Sequence, residues 1–600
     1  MKTTYSFFDL TLDEESTGAS VLTNGFGDFF VLDPTCSYEG WFHLETNPWK
    51  LRKSIARIKP EGLEQSSFHV QPHSLQRTYT DGSSDSFILY QDTLLYYTKN
   101  ISQPILLTLD SREAYDNSPL GREYAIYEKE GCWFIYFKQG DIEEFLCLKG
   151  VEDVRLREQW REEHYSFDAS RGVADTFWVF DAFTFHSTGH TVIGRGTTES
   201  QARTKTDISS HHYHDVISAL QSKVATYQDL PGATLREQLA FVYAQHGLYS
   251  LKTDCRYQHT LLTGIYAGLP WFFQLWGRDE LISLGGFLAA EDFSIVEEIL
   301  ERYTQQVLLL EEVPNRFPPS VVASVDGLGW YAKRLHEYIR TRLAKNPREF
   351  SREELQRWHT ALQRAYQKVE RTRMREGLVF NYAQETWMDT VYEDSGREGF
   401  CVEIQALHLA LIDAILYLER LLDLPFSISR DDFIFTVRKH FIRSHRIIDM
   451  LFPSLEPDMS YRPNLFLAQY ISPTLFLKED WKQTFKYALD KLFLSWGGLS
   501  TLSLDHPLYQ PKYTGNNNKS YHRGDSWYFV NNIAAISLFE YSFQKEAKAI
   551  LDASIQELFS LGFAGCSAEV SSASLQEGTG SLSQAWSSST LIELLKKSKR

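Results

Sequence analysis

Five short segments of the chain place tryptophan or tyrosine beside carboxylate, arginine, histidine or amide groups. They are Leu269–Asp279, Glu385–Thr390, Tyr461–Asn464, Ser520–Trp527 and Ala564–Trp586. An aromatic ring offers a flat apolar surface to the face of a sugar, while neighbouring polar groups can bond its hydroxyls. The five segments therefore predict the lining of a saccharide-binding pocket.

Two carboxylates in these segments have surroundings that suit acid–base catalysis. Asp389 follows Trp387 by two residues, and apolar neighbours raise the pKa of a carboxyl group by desolvation, as a general acid requires. Glu569 lies among small residues, which predicts a loop that water can reach. The plainer alternatives are a helix cap for Asp389 and an exposed loop position for Glu569. Asp326, likewise, could cap the helix that follows it.

Other polar residues in or near the segments could bind a sugar or could serve the fold. Arg278 and Asp279 form a compact donor–acceptor pair that could bind two adjacent hydroxyls, or an ion pair at a helix start. Glu403 would either line the pocket or pair with Arg397 inside the protein. His522 would either bond a hydroxyl or pack as a core histidine.

The composition is that of a globular protein with an acidic surface. Of the 600 residues, 43% are hydrophobic, 23% are charged and 14% are aromatic, and the net charge is −17. A negative surface repels phosphate backbones, so we expect no nucleic-acid partner. No apolar run approaches the ~18 residues of a membrane span, and the N-terminus lacks the pattern of a secretion signal, so we expect no membrane association.

The cysteines and the absence of cofactor motifs narrow the class further. The six cysteines are widely spaced without a Cys-x-x-Cys pair, which argues against a disulfide framework or a zinc ribbon and favours a reducing cytoplasm. No P-loop or dinucleotide fingerprint occurs, so we expect no metal and no organic cofactor. The oligomeric state stays open.

The segments lie in the second of two differently patterned parts of the chain. Residues 1–210 contain short apolar and aromatic runs separated by turn residues, which predicts an antiparallel β-sandwich. Within them, Gly196–Ser210 has no hydrophobic period and indicates a linker, and residues 211–231 are expected to form a linker with a helix. Residues 232–600 carry about eleven or twelve helical patterns that alternate between buried and exposed types, which predicts a double-layered helical toroid.

Two helices of this toroid can be predicted more closely. Ser351 and Glu354 form the signature of a capping box, and the charged stretch that follows predicts an exposed outer helix. Residues 400–422 are apolar on nearly every side, which predicts a buried helix.

The motifs follow one another in a family-specific order. Between residues 268 and 587 they are GLPWFFQLWGRDELISL, TWMDT, GFCVEIQALHLAL, YRPNLFLA, GLSTLSLDHPLYQPKYTG, YHRGDSW, AEV and SQAWS. In this order they resemble the amylo-α-1,6-glucosidase part of glycogen debranching enzymes, in the single-activity form of bacteria and archaea. The resemblance implies a multidomain protein with an N-terminal β-sandwich and a C-terminal (α/α)6 barrel related to glucoamylase. It also implies hydrolysis of single α-1,6-linked glucose stubs of debranched glycogen.

The resemblance assigns roles to residues at the matching positions. It implies that Asp389 is the general acid and that Glu569 is the general base that activates water, for which we expect an inverting reaction. Arg278 and Asp279 would hold the terminal glucose. The other residues expected to line or border the pocket are Trp271, Trp276, Trp387, Trp527, Glu403 and His522. The chain departs from the family pattern at Glu280, where threonine is usual, and lacks the usual Asp-Gly after the proposed base.

Three other functions remain compatible with the sequence. A glucoamylase-like exo-α-1,4-glucosidase would use the same pair of carboxylates. A sugar phosphorylase on the same toroid would need a basic anion pocket where Glu569 lies, because a carboxylate there repels phosphate. A non-catalytic glucan-binding protein would keep the aromatic residues but leave Asp389 and Glu569 too far apart to act together.

Overall fold

The chain forms two compact units. The computed structural model describes residues 3–6, 9–13, 19–46, 49–116, 118, 120–224, 227–257, 260–318, 323–393 and 396–600. Unit 1 comprises Met1–Asp229, Thr234–Leu262 and Leu558–Cys566, and unit 2 comprises Leu230–Ala233, Thr263–Glu557 and Ser567–Arg600. From the sequence, the last two segments of unit 1 are expected to belong to the helical domain of residues 232–600. Among the described residues, no helix has the length and apolar character needed to cross a membrane.

Unit 1 is built on antiparallel strands, as the apolar runs of residues 1–210 predicted. They are β1 (Thr3–Ser6), β2 (Asp9–Asp13), β3 (Ser20–Thr23), β4 (Phe29–Leu32), β5 (Gly40–Thr46), β6 (Trp49–Pro60), β7 (Gln65–Gln71), β8 (Ser74–Tyr79), β9 (Ser84–Tyr90), β10 (Thr93–Lys99), β11 (Ile105–Glu113), β12 (Glu123–Lys129), β13 (Cys132–Gln139), β14 (Ile142–His164) and β15 (Thr176–Gly196).

These strands pair in one continuous 15-stranded sheet rather than in two separate sheets. β14 and β15 are 23 and 21 residues long and pair with each other from end to end, with bulges. The other edge of β15 pairs with β11 near its start and with β10 near its end, so one strand serves both halves of the sheet. The halves pack face to face, with the rings of Phe30 and Phe87 stacked at 4.8 Å. A sandwich-like core is therefore present, but long strands join its two layers.

Helices complete unit 1. They are α1 (Ser166–Ser170), α2 (Glu199–His211), α3 (Tyr213–Val224) and α4 (Leu235–Leu251), followed by the hairpin strands β16 (Lys252–Tyr257) and β17 (Thr260–Ile265). The prediction of a linker at Gly196–Ser210 is wrong, because most of it forms α2. Ala202, Thr206 and Ser209 make up the buried face of α2. Because these residues are small and only weakly hydrophobic, the helix can pack against the protein without showing a hydrophobic repeat in its sequence.

Helices dominate unit 2. They are α5 (Gly277–Ala289), α6 (Phe293–Leu310), α7 (Gly327–Lys345), α8 (Arg352–Thr372), α9 (Val402–Leu421), α10 (Arg430–Phe441), α11 (Asn464–Ile471), α12 (Lys478–Leu492), α13 (Tyr528–Glu540), α14 (Gln544–Ser560) and α15 (Ala585–Lys597), with a 3-10 turn at Gly515–Asn517. Six of these helices form a closed ring by successive contacts: α5, α7, α9, α11, α13 and α15, which returns to α5.

The ring helices and the helices between them differ in burial. Most residues of α9 are buried, as its apolar sequence predicted. α8 buries one stripe only and opens with the predicted capping box of Ser351 and Glu354. The buried character of α9 and the one-sided burial of α8 were thus each predicted from the periodicity of their own sequence.

Short strands anchor the loops between the helices. They are β18 (Gly268–Leu269), β19 (Leu275–Trp276), β20 (Arg316–Phe317), β21 (Met374–Arg375), β22 (Leu378–Val379), β23 (Phe400–Cys401), β24 (Ile442–Arg443), β25 (Arg446–Ile447), β26 (Met450–Leu451), β27 (Pro457–Asp458), β28 (Ser526–Trp527), β29 (Val570–Ser571) and β30 (Ser583–Gln584). Four of them run directly into ring helices: β19 into α5, β23 into α9, β28 into α13 and β30 into α15. Pairing of these strands fixes the loops at the N-terminal ends of the ring helices.

Candidate active site

The predicted site residues lie where the chain enters the ring helices. Arg278 and Asp279 occupy the first turn of α5. Asp389 lies in the loop before α9, and His522 lies in the loop before α13. Glu569 lies between α14 and α15, directly before β29.

Arg278 joins two carboxylates from two different loops. Its Nε donates to Asp326 Oδ2 at 2.5 Å, and its Nη1 donates to Asp389 Oδ2 at 3.4 Å. Asp326 also accepts a hydrogen bond from Ser324 Oγ at 2.6 Å. Although Asp326 stands at the N-cap position of α7, its side chain makes no capping bond within the described part of that helix. The capping role expected for Asp326 is therefore wrong, and its carboxylate forms an ion pair with Arg278 instead.

Asp389 combines an accessible side chain with a raised pKa. The residue lies in a loop, not at a helix start, so its alternative role as a cap is wrong. Its side chain is 40% exposed. Desolvation by the surrounding protein raises the pKa of Asp389 and the charge of Asp326 adds to this, while Arg278 acts in the opposite direction. A carboxyl group that a ligand can reach and that keeps its proton to higher pH has the properties of a general acid.

Both carboxylate oxygens of Glu569 are held by hydrogen bonds. Oε2 accepts from the backbone N–H of Ser581 at 2.8 Å, and Oε1 accepts from the hydroxyl of Tyr521. Glu569 is 2% exposed. Both the loop that water can reach and the exposed loop position that the sequence suggested are therefore wrong. Gly580 lies against the carboxylate with φ +65°, and a Cβ there would come within 2.4 Å of Oε2. The close approach of this backbone to Glu569 therefore depends on glycine.

Two residues interact electrostatically with both Asp389 and Glu569. Burial raises the pKa of Asp279 well above its usual range; Arg278 opposes this, and the charges of Glu569 and Asp389 add to it. Burial also raises the pKa of Tyr521 well above its usual range, and again the charges of Glu569 and Asp389 contribute. Asp389 and Glu569 therefore belong to one cluster of interacting groups.

An aromatic cluster packs beside this group. The ring of Trp387 lies 5.3 Å from that of Trp527 and 5.2 Å from that of Phe529. Trp586 stacks on Phe529 at 4.1 Å, and His522 stacks on Trp527 at 5.2 Å. The rings come from the loops and first turns of α9, α13 and α15, so the cluster ties three ring helices together.

His522 is a packed histidine that also bonds the loop of the proposed acid. Burial lowers the pKa of His522 well below its usual range, and nearby arginines lower it further, so the imidazole is neutral. Its Nδ1 is hydrogen-bonded to Thr390 Oγ1 at 2.8 Å, next to Asp389. In the described structure its Nε2 has no hydrogen-bond partner. Of the two roles that the sequence left open for His522, packing in the core is the one that the structure shows.

Glu403 pairs with Arg397, which was one of its two expected roles. Arg397 Nη2 donates to Glu403 Oε1 at 2.9 Å, and Arg397 also donates to Asp449. Burial raises the pKa of Glu403 to about 7, opposed by Arg397. Asn464 connects this ion-pair group to Trp387: its Nδ2 donates to Asp449 at 3.1 Å, and its Oδ1 accepts from the indole N–H at 2.7 Å. Glu403 therefore supports Trp387 indirectly, from inside the protein.

The remaining predicted tryptophans flank the start of α5. Trp276 immediately precedes α5, and the guanidinium of Arg316 lies 5.6 Å from its ring. Trp271 is 8% exposed and follows β18, which pairs with β30. β30 ends at Gln584, whose Nε2 donates to Asp279 Oδ1 at 3.1 Å. α5 and α15 thus meet at Asp279.

Loops and first turns of all six ring helices therefore meet in one region. Among the described residues, no three histidine, cysteine, aspartate or glutamate side chains are grouped so as to hold a metal ion. The groups that the region offers are carboxylates, amides, a phenol and aromatic rings. These can transfer protons and bind hydroxyl groups.

Comparison with known proteins agrees with this chemistry. A family model described as amylo-alpha-1,6-glucosidase matches residues 239–593, more than half of the chain. The chain belongs to the amylo-alpha-1,6-glucosidase family. It is therefore a glycosidase by family, and the resemblance inferred from the sequence motifs is confirmed. No curated protein matches the chain.

One solved structure shows the fold that this amylo-alpha-1,6-glucosidase family member shares. The crystal structure of a bacterial glucoamylase complexed with acarbose is similar with a TM-score of 0.65 and 11% identity, covering 98% of this chain and 94% of that one. A GH63 mannosylglycerate hydrolase from Thermus thermophilus, in complex with Tris and D-glycerate, has a TM-score of 0.44 and 15% identity, covering 59% of this chain and 99% of that one. The first likeness establishes a glucoamylase-like fold.

Several residues of this candidate site in the amylo-alpha-1,6-glucosidase family member could not be singled out from the sequence. Tyr521 and Gln584 lie inside quoted motifs, but their types did not single them out. Ser581 contributes through its backbone, which no motif reveals. The departure at Glu280 is explained: it is fully buried, Oε1 accepts from Ile265 N at 2.9 Å, and Oε2 accepts from Arg302 Nη2 at 2.6 Å. Glu280 therefore belongs to a structural ion pair beside the site.

Proposed function

We propose that the protein is an inverting amylo-α-1,6-glucosidase that releases glucose from single α-1,6-linked stubs of debranched, glycogen-like glucans. The observation that carries the proposal is a cluster in which Arg278 bonds Asp389 and Tyr521 bonds Glu569, and in which both carboxylates influence Asp279. The family and the aromatic lining support a glucan as the substrate. The reaction needs no metal or organic cofactor.

The two carboxylates have complementary roles in this proposal. Asp389, which desolvation keeps protonated to higher pH, donates its proton to the glycosidic oxygen as the bond to glucose breaks. Glu569, ionised, removes a proton from the water that attacks the anomeric carbon on the opposite face of the sugar. Inversion requires the two carboxyl groups to be roughly 6.5–9.5 Å apart, so that the water fits between sugar and base.

The hydrogen bonds around the base suit this role. Tyr521 and the Ser581 N–H occupy one lone pair on each carboxylate oxygen of Glu569 and fix its orientation. A carboxylate oxygen can accept more than one hydrogen bond, so these bonds are compatible with Glu569 receiving the proton of the water. A carboxylate so placed would repel phosphate, which disfavours phosphorolysis at the same position.

The polar groups around Arg278 suit the terminal glucose. One carboxylate oxygen of Asp279 accepts a hydrogen bond from Gln584, and the other can accept a hydrogen bond from a sugar hydroxyl. Arg278 is already bonded to Asp326 and Asp389. Its positive charge lies beside three carboxyl groups, of which Asp279 and Asp389 have raised pKa values because of burial. We assign Trp271, Trp276, Trp387 and Trp527 to the apolar walls, with His522 and Glu403 behind them.

The domain organisation is part of the proposal. We take the ring of six helices to be the inner layer of an (α/α)6 barrel in residues 232–600, preceded by a β domain in residues 1–210 and a connecting segment in 211–231. All six cysteines are buried and outside disulfides, which supports a reducing cytoplasm as the place where the enzyme acts.

Proton NMR of the reaction tests the linkage and the stereochemistry together. The substrate is a maltooligosaccharide with a single α-1,6-linked glucosyl branch, with and without phosphate. We expect free β-glucose from the branch to appear first. Glucose from α-1,4 ends only would indicate a glucoamylase-like enzyme, glucose phosphate would indicate a phosphorylase, and α-glucose appearing first would exclude inversion. Unaltered substrate would favour the glucan-binding alternative.

Variants of the two carboxylates test the catalytic assignment. Asp389→Asn and Glu569→Gln should each lower kcat by roughly 10²–10⁴-fold. Asp413→Asn is a matched control, because it removes an aspartate that pairs with Arg430 Nε at 2.5 Å on α9 and α10. A full rate in Asp389→Asn would refute the assignment of the acid.

A further inference from the structure

Unit 1 contains a cavity of about 490 Å³ that the proposed reaction does not use. It is lined by Asn24, Phe26, Asp28, Gln91, Asp92 and Arg256. Its walls come from the turn between β3 and β4, the turn between β9 and β10, and β16. Cavities of roughly 300–1,000 Å³ are the usual size for small-ligand sites.

The wall between β3 and β4 is a rigid turn that presents an aromatic ring. Asn24 Oδ1 accepts from the backbone N–H of Phe26 at 2.8 Å, and Asn24 Nδ2 donates to Gln91 O at 2.7 Å. The carbonyl of Gly25 accepts from Asp254 N at 2.8 Å. Phe26 is nevertheless 57% exposed. A ring held open to solvent on a turn fixed at three points is preorganised for contact with a ligand.

Asp28 supplies a buried polar atom at the same cavity. The residue is 4% exposed, and its Oδ2 has no hydrogen-bond partner among the described residues. The nearest cation is Arg195, whose Nη2 is 3.9 Å away, beyond hydrogen-bond distance. Burial raises the pKa of Asp28 to about 7, opposed by Arg195. Buried carboxyl oxygens are normally hydrogen-bonded, and the hydroxyl of a bound ligand can donate the hydrogen bond that Asp28 Oδ2 lacks.

The charges around the cavity favour a neutral ligand. Asp92 Oδ1 accepts from Arg195 at 3.2 Å, and its Oδ2 is 2.8 Å from Lys205 Nζ. Arg256 adds a further positive charge to the lining. Glu144 also lies 3.9 Å from Arg195 Nε, so three carboxylates face three cations and neither a metal ion nor a charged ligand is favoured. An apolar ring face beside hydroxyl-binding groups is the pattern that binds sugars.

We propose that this cavity of unit 1 is a saccharide-binding site in which Phe26 stacks on a sugar ring and Asp28 accepts a hydrogen bond from a hydroxyl. The identity of the sugar, a unit of an α-glucan chain, rests on the proposed function. The site would hold the polymer while the catalytic residues of unit 2 act on it. It therefore adds a binding function to the β domain.

A fluorine label placed in the cavity tests the proposal without requiring turnover. All six native cysteines are buried, so a cysteine introduced at Gln91, which is exposed, can be labelled selectively with bromotrifluoroacetone. The full-length Glu569→Gln protein carrying Gln91→Cys is titrated with maltoheptaose and followed by 19F NMR. The control label is at Ser102→Cys, an exposed position beyond the other end of β10.

We expect a saturable shift of the label at position 91 and none at position 102. Phe26→Ala should raise the dissociation constant at least tenfold, whereas Phe26→Tyr, which keeps the ring, should restore binding. Absence of a saturable shift at position 91, or a shift that Phe26→Ala leaves unchanged, would overturn the proposal. The titration involves no hydrolysis, so failure of the glucosidase assay would leave this result interpretable.

Discussion

The bridge of Arg278 between two carboxylates makes a quantitative prediction about pH. Asp326→Asn removes a negative charge that raises the pKa of Asp389, and it leaves Arg278 without its ion-pair partner, so that Arg278 acts more strongly on Asp389. At the 3.4 Å between Arg278 and Asp389, two unit charges interact by ~1 kcal/mol in water and by ~5 kcal/mol at an effective dielectric constant of about 20. These values bound what Asp389 gains when Arg278 loses its partner Asp326. Because the side chain of Asp389 is 40% exposed, solvent screening places the change near the lower limit, at about 1–2 kcal/mol or roughly one pH unit.

The sign of the shift follows from the role of Asp389. A general acid must be protonated, so activity is lost as the pH rises through its pKa. Lowering the pKa of Asp389 therefore moves this basic limb to lower pH. The assay is the pH profile of kcat/KM on the branched oligosaccharide for the wild type and Asp326→Asn, with thermal unfolding to confirm that both are folded. Asp413→Asn serves as control and should leave the profile in place.

Two results would refute the reasoning. A basic limb that stays in place would mean that the charge of Asp326 does not act on the catalytic acid. A limb that moves to higher pH would mean that the titrating group is not Asp389, since both effects of the substitution lower its pKa.

Three further predictions concern the base and the fold around it. Tyr521→Phe should lower kcat roughly 10- to 100-fold with little change in KM, since a hydrogen bond to a charged group contributes about 1.5–3 kcal/mol; an unchanged kcat would argue against a role in orienting the base. Gly580→Ala should reduce activity far more than Gly172→Ala. The two glycines have similar φ angles, +65° and +68°, so the backbone strain is similar, but only at Gly580 would the new Cβ contact the base, at 2.4 Å from Glu569 Oε2. Equal losses would point to backbone strain alone. Glu280→Gln should lower the free energy of unfolding by about 3–5 kcal/mol in urea titrations, whereas Glu301→Gln, whose ion pair is 39% exposed, should cost less than about 1 kcal/mol.

Local patterns account for most of what the sequence predicted about the fold. The strands of unit 1 and the buried and exposed helices of unit 2 follow from periodicities that extend over one element. The capping box at Ser351 and Glu354 was visible for the same reason. The helix α2 was missed because its buried face is made of small residues, which carry no such period.

The partners of the site residues could not be predicted in the same way. Arg278 contacts residues 48 and 111 positions away, and no local pattern encodes which carboxylate a buried arginine meets. The motifs supplied Asp389 and Glu569 as the proposed catalytic pair, while the structure supplied Tyr521 as a hydrogen-bond partner of Glu569. Residues able to act as acid or base can thus be identified from the sequence, whereas the contacts that orient them and shift their pKa values depend on tertiary packing.

The closure of the helix ring constrains how the protein can fold during synthesis. Ser589 on α15 donates to Ser283 O at 2.9 Å and accepts from Gly286 N at 2.7 Å, across 306 and 303 residues of chain. The apolar surface of α5 that α15 covers is therefore made long before its partner leaves the ribosome. Contacts of such long sequence separation slow folding and favour intermediates with exposed apolar surface. The nascent ring remains open, and prone to aggregation, until its last helix arrives.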